Sequence, residues 1–274
     1  MRELSLTSWS LNRLLGPLYW NEWDDVNQTI TTVVEEQPQV HSLIEMPQLL
    51  ANQGFHAMEI IHPHFPSTDV DYLHELRTAF ENANIRLHSI LIDYGDISTR
   101  DRARQTADYA FLKEWVSIAA TVGAKYVRII GGEARSDDQE GLELATAQLA
   151  SLVNDAKQKG VGILTENFKS LTETAENCVY LKKHTGIDGL ITDFGNFTGA
   201  TKVQSIQQTI PHSKSIHVKA LENEDGTINQ AELKGNLDVA KEMNYEGPLT
   251  IVYDGLDDMW AGINRVKEIV KAYI

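Results

Sequence analysis

Eight short apolar runs constrain this chain more than any other feature. Each closes in polar or charged residues and is separated from the next by an amphipathic stretch. They read ELSLTSW, AMEIIH, IRLHSILID, KYVRIIGG, VGILTENF, GLITDFGN, SIHVKAL and PLTIVYDG. Between the second and third, Leu73, Leu76, Phe80 and Ala83 fall on one helical face, and Asn84 ends it. Between the fourth and fifth, the stripe is Leu142, Ala145, Leu149, Leu152 and Ala156, with Gly160 at the stop. Gly54, Gly123 and Gly186 occupy equivalent stops, where a left-handed residue ends a helix before a strand begins.

Strand and helix therefore alternate along the whole chain. Eight strands in 274 residues suit one closed α/β barrel. An open doubly wound sheet usually has fewer strands and places a glycine-rich phosphate loop after the first, which SWSLNRL is not. The expected fold is α/β, a single (β/α)8 TIM barrel over residues 1–274.

One connection is too long for this grammar. Residues 11–41 carry Tyr19, Trp20 and Trp23 among acidic and amide residues. Two readings stand side by side: a lid whose aromatic faces close over a ligand, or a surface excursion packed on the barrel mouth or a second subunit.

Composition excludes several partners. With 24 basic and 39 acidic residues the net charge is −15, so the surface repels phosphate backbones and anionic lipid, and nucleic acid is not an expected partner. Cys178 stands alone, which rules out an intrachain disulfide and a thiolate metal cluster; a small buried hydrophobe is the expected role. MRELSLTSWS alternates where a secretory leader needs a continuous apolar stretch, and no run is long enough to span a bilayer, so a cytoplasmic protein without membrane contact is expected.

In a parallel barrel the reacting groups lie at the C-terminal strand ends and on the loops that follow. Those positions carry Glu59, His62 and His64; His88 and Asp93; Arg128 and Glu133; Glu166, Asn167 and Lys169; Asp193 and Asn196; His217 and Lys219; and Asp254. A charge inside an apolar run is costly unless it faces the lumen and finds partners. Glu166, Asp193, His217 and Lys219 have this placement, and two carboxylates and an imidazole converging from three strands form a divalent-metal shell. Each has a plainer role as well: Glu166 in a lumen ion pair, Asp193 capping a helix, His217 as a hydrogen-bonded core residue. For His62, His64, Asp93 and Glu133 the plainer role is favoured.

With these residues in place, the chain resembles the xylose-isomerase-like TIM-barrel superfamily along nearly all its length. The resemblance rests on GFHAMEI, GAKYVRIIGG, GVGILTEN, DFGN, SIHVK and YEGPLTIVYDG. It implies sugar isomerase or epimerase chemistry: proton abstraction next to a carbonyl, with a divalent metal (Mn, Mg, Co or Zn) on a strand-five glutamate, strand-six aspartate, strand-seven histidine and strand-eight glutamate. The first three fall on Glu166, Asp193 and His217; the fourth falls on Val252. Asn196, Phe168 and Ala220 likewise replace a histidine, a histidine and an aspartate of the family's motifs.

Asp254, two residues beyond Val252, is the substitute ligand to test. The expected catalytic groups are Glu166 as base, Lys219 as electrophile and His217; His62, His88, Arg128, Asn167 and Trp20 are the expected sugar contacts. Two other readings remain open, a dehydratase of the same superfamily and a non-catalytic binder of a sugar or polyol. A repair nuclease is excluded by too few histidines and the acidic surface. Self-association is a further expectation, with Trp260 either a subunit contact or part of the apolar face of Met259, Ile263, Val266 and Ile269.

Overall fold

The computed structural model describes residues 2–223 and 226–274. Strand β1 (Leu4–Thr7) leads into an antiparallel hairpin of β2 (Leu18–Asp24) and β3 (Thr29–Glu35). From helix α1 (Met46–Asn52) onward strand and helix alternate: β4 (Ala57–Ile61), α2 (Val70–Ala83), β5 (Arg86–Ile92), α3 (Arg102–Val122), β6 (Tyr126–Ile129) and α4 (Gln139–Lys159). The second half continues with β7 (Gly162–Glu166), α5 (Ala175–Thr185), β8 (Gly189–Asp193), α6 (Lys202–Thr209), β9 (Ser213–Lys219), α7 (Gln230–Glu242), β10 (Leu249–Val252) and α8 (Met259–Val270). All strands but β2 and β3 close into one parallel barrel, with β1 between β10 and β4. The chain is a single (β/α)8 barrel, as the eight apolar runs require.

Local chemistry explains the helix ends. Asp101, Asp138, Thr174, Asn229 and Asp258 each accept first-turn N–H groups of the helix that follows. Asn84, Gly123, Gly160 and Gly186 stop their helices with φ between 54° and 82°. The main core lies between strands and helices, and includes Leu73, Leu76, Leu149 and Leu152. A smaller apolar plug of Leu18, Ile61, Leu91, Tyr126, Leu164 and Ile191 fills the lumen, with Trp9 and Trp20 packed on it. Cys178 is buried and donates its thiol to the Thr172 carbonyl, and burial pushes that thiol far up. Trp260 is half-buried against the main core.

Two bulges break the register. Met58 faces Leu87 but Glu59 faces Ser89, so β5 has an extra residue at His88. Leu190 faces Ser213 but Ile191 faces Ser215, which makes Lys214 the extra residue of β9. Among the described residues, no helix is long and apolar enough to cross a membrane.

Candidate active site

Strand alternation brings Glu166, Asp193 and His217 to one point. Each is the inward residue near the end of its strand, and each is buried. One ligand atom from each lies within 4.8 Å of the others. His217 Nδ1 is 3.2 Å from Glu166 Oε1 and 3.6 Å from Asp193 Oδ2. Asp193 divides its oxygens: Oδ1 accepts the N–H groups of Gly195 at 2.6 Å and Asn196 at 3.1 Å, leaving Oδ2 for the histidine. Turn capping and the site thus share one carboxylate.

Beneath this group lies Glu59, fully buried. Its Oε1 accepts from Ser215 at 2.5 Å and Thr250 at 2.8 Å; its Oε2 accepts from Ser89 at 2.8 Å and faces His217 Nε2 at 3.0 Å. Burial alone would push its carboxyl up, but the facing His217 charge and these hydrogen bonds hold it well below the usual carboxylate range. For His217, burial opposes charging, yet Glu166 and Glu59 raise the imidazole well above its ordinary value. Glu59 stood in AMEIIH as a charge inside an apolar run, the same signal that singled out Glu166. Its partner was invisible because Glu59 and His217 are 158 residues apart.

Arg128 closes one side. Its guanidinium reaches Asp93 at 2.6 Å, Glu166 Oε2 at 2.9 Å and the Ile92 carbonyl at 2.8 Å. Lys219 and Asp254 pair at 2.8 Å on the opposite rim, and Gly195 leaves room for the lysine stem, whose Cδ would lie 2.6 Å from a Cβ there. Asp254 is thus committed to Lys219 and lies outside the three-residue group. Val252, 7% exposed, lines the mouth without offering a donor atom.

The cavity above has a volume of about 650 Å³. Glu166, Asp193, His217, Arg128, Lys219 and Asp254 line it, together with Trp9, Phe168 and Asp93. Within residues 11–41, expected as one long loop, β2 and β3 form a hairpin, and Trp20, Asn21, Glu22 and Trp23 of β2 also line the cavity. Trp20 is held by an edge-on contact with Trp9 and donates its indole N–H to Glu35 at 2.8 Å.

Three expected sugar contacts lie elsewhere. His62 accepts the Asp93 N–H at 3.1 Å through Nδ1, so Nε2 carries the proton toward Asn21 Oδ1 at 3.2 Å; it tethers the hairpin to the barrel. Asn167 spends its amide on the backbone N–H and carbonyl of Asp193, at 2.7 and 2.9 Å. His88 is the bulged residue of β5 and lines a second cavity at the N-terminal mouth, opposite the site; reading it as a strand-end residue missed the extra residue.

The donors suit a divalent ion. Nδ1 faces two carboxylates while Glu59 holds the other ring nitrogen, the arrangement in which a buried carboxylate orients a ligating imidazole. The four carboxylates of Glu59, Asp93, Glu166 and Asp193 outnumber the cations of Arg128 and His217 by two.

Residues 47–268 match the family described as xylose isomerase-like TIM barrel. No curated protein sequence matches the chain. Among solved structures, an L-ribulose 3-epimerase superposes with a TM-score of 0.71 at 16% identity, over 100% of this chain and 94% of the other. A xylose isomerase-like TIM barrel protein from Mycobacterium smegmatis in complex with magnesium gives 0.66 at 15% identity, over 100% and 97%. A probable 3-DHS dehydratase involved in petrobactin synthesis, from Bacillus anthracis, gives 0.70 at 16%, over 99% of both chains.

Proposed function

The chain belongs to the xylose isomerase-like TIM-barrel family, and from that premise we propose that it isomerises or epimerises a sugar or sugar derivative by moving a proton next to a carbonyl. The observation that carries this reading is the convergence of Glu166, Asp193 and His217 at the floor of a polar mouth large enough for a monosaccharide.

Glu166 is the base in this reading. Arg128 pairs its charge with Glu166 Oε2 at 2.9 Å, which leaves Oε1, on the side of His217, to serve the proton transfer. Glu166, Asp193 and His217 are the residues to hold a Mn, Mg, Co or Zn ion. When bound there, the ion supplies positive charge that polarises a carbonyl or hydroxyl oxygen. Lys219, kept cationic by Asp254, donates a hydrogen bond to a substrate oxygen from the far rim. Trp20 offers an apolar face to the sugar ring, and the hairpin excludes water.

The solved structures of similar fold include an L-ribulose 3-epimerase and a probable 3-DHS dehydratase, and a dehydratase of a hydroxy-carbonyl substrate would start from the same proton removal. Val252 favours a second reading, a barrel that binds its sugar without turning it over, since the residue supplies neither ligand nor base at the eighth strand. Incubating the protein with free ketoses, with and without Mn²⁺, and resolving products by chromatography separates these readings. An epimer or aldose product supports the first; an α,β-unsaturated product shows the dehydratase; saturable binding with no product shows the binder.

A further inference from the structure

The opposite end of the barrel carries a cavity that the proposed reaction does not use. It has a volume of about 580 Å³ and opens among the N-terminal strand ends. Arg86, His88, Lys125 and Lys214 line it, with Glu3 and Glu246. Three fixed cations against two carboxylates give this mouth a positive balance, on a chain whose net charge is −15. Glu3 is already paired with Arg86. Among the described residues neither Lys125 nor Lys214 has a carboxylate within ion-pair reach; Lys125 lies over the Tyr126 ring.

The cavity is built into the strands. The two bulges of the barrel add His88 to β5 and Lys214 to β9, and both residues line it. The next residues, Ser89 and Ser215, turn to Glu59 in the layer above. Glycines at the bottom layer admit the neighbouring side chains: a Cβ on Gly189 would lie 2.6 Å from the Lys214 Cγ, and one on Gly162 2.5 Å from the Tyr126 ring.

His88 is 2% exposed. Arg86 donates to its Nδ1 at 2.5 Å, so the neutral ring carries its proton on Nε2, which has no hydrogen-bond partner among the described residues and is closed off from the cavity. The ligand contacts therefore fall to the three cations at the mouth, and an oxyanion is the ligand that suits them.

We propose that the N-terminal mouth of the barrel is a second binding site, for a small molecule bearing a phosphoryl group. Arg86, Lys125 and Lys214, from three strands, supply donors to a tetrahedral oxyanion, and the remaining volume holds the molecule that carries it.

Calorimetric titration of the full chain with glycerol 3-phosphate, inorganic phosphate and glycerol tests this. The site requires saturable binding of one glycerol 3-phosphate per chain and none of glycerol. Equal affinity for inorganic phosphate identifies the phosphoryl group alone as the ligand; weaker affinity shows that the cavity also reads the carbon skeleton. Lys125 and Lys214 are exposed, so Lys125→Ala and Lys214→Ala keep the fold, and each should weaken binding by about tenfold, the loss of one charge-assisted contact. Lys219→Ala, at the catalytic mouth, should leave it unchanged. No saturable binding, wild-type affinity in both basal lysine variants, or loss confined to Lys219→Ala overturns the proposal.

Discussion

Glu59 Oε2 lies 3.0 Å from His217 Nε2, and the pair joins a fully buried carboxylate on the second barrel strand to the imidazole that faces Glu166 and Asp193. Three hydroxyls, of Ser89, Ser215 and Thr250, complete the shell around that carboxylate. The arrangement fixes which face of the ring meets the site. Glu59→Gln keeps the size of the group and removes its charge. It should lower Mn²⁺ affinity by roughly 10- to 100-fold, read by calorimetry. It should also destabilise the fold by about 3–5 kcal/mol in urea, since a buried charge loses its partner. Unchanged Mn²⁺ affinity would mean that Glu59 does not position the ring.

Val252 leaves the eighth strand without a ligand, while Lys219 holds Asp254 away from the group. Val252→Glu supplies an oxygen donor at the mouth and should tighten Mn²⁺ binding by about tenfold, since affinity rises with the charge and number of oxygen ligands. Equal or weaker binding would show that the strand end does not face the ion.

Trp20 presents its ring to the cavity from a hairpin anchored by the His62–Asn21 contact at 3.2 Å. Trp20→Ala should raise KM roughly fivefold with little change in kcat, as expected for a contact worth about 1 kcal/mol in both ground and transition states. A fall in kcat with unchanged KM would place Trp20 in the chemical step instead.

Burial depresses His62 to about 4 and His64 to about 3, against an ordinary value near 6.5. The unfolded chain therefore binds more protons than the folded one below that value. The stability these rings contribute is complete above pH 6.5 and is lost as pH falls toward their folded values, at up to about 1.4 kcal/mol per pH unit for each ring. His64→Asn should flatten the loss of urea stability between pH 6.5 and 4 relative to wild type. An identical slope in the two proteins would show that His64 is not held neutral.

Much of the barrel was legible because it rests on local chemistry. The apolar runs, the stripe through Leu142 and Leu149, and the stops at Gly123 and Gly160 each encode an element without long-range information. Glu166, Asp193 and His217 could be singled out because a charge in an apolar run must face the lumen. Their convergence needed only barrel closure.

The rest depended on register and pairing. A bulge at His88 shifts every later residue of β5 relative to β4, and no local signal marks it. Asn167 reads as a free amide until the backbone of Asp193 is placed beside it. Asp254 reads as a spare ligand until Lys219 is placed opposite. The aromatic stretch at 11–41 alternates little, so its hairpin was hidden.

The central claim is that Glu166 removes a proton beside a substrate carbonyl. Solvent wash-in tests it directly: the ketose that binds most tightly is incubated with the protein in D₂O and followed by ¹H NMR. Wild type should exchange the C–H next to the carbonyl for deuterium, and Glu166→Gln should slow that exchange by about 10²- to 10⁴-fold while retaining the sugar. Equal wash-in by the two proteins, or none by wild type with ketose bound and Mn²⁺ present, would contradict the account.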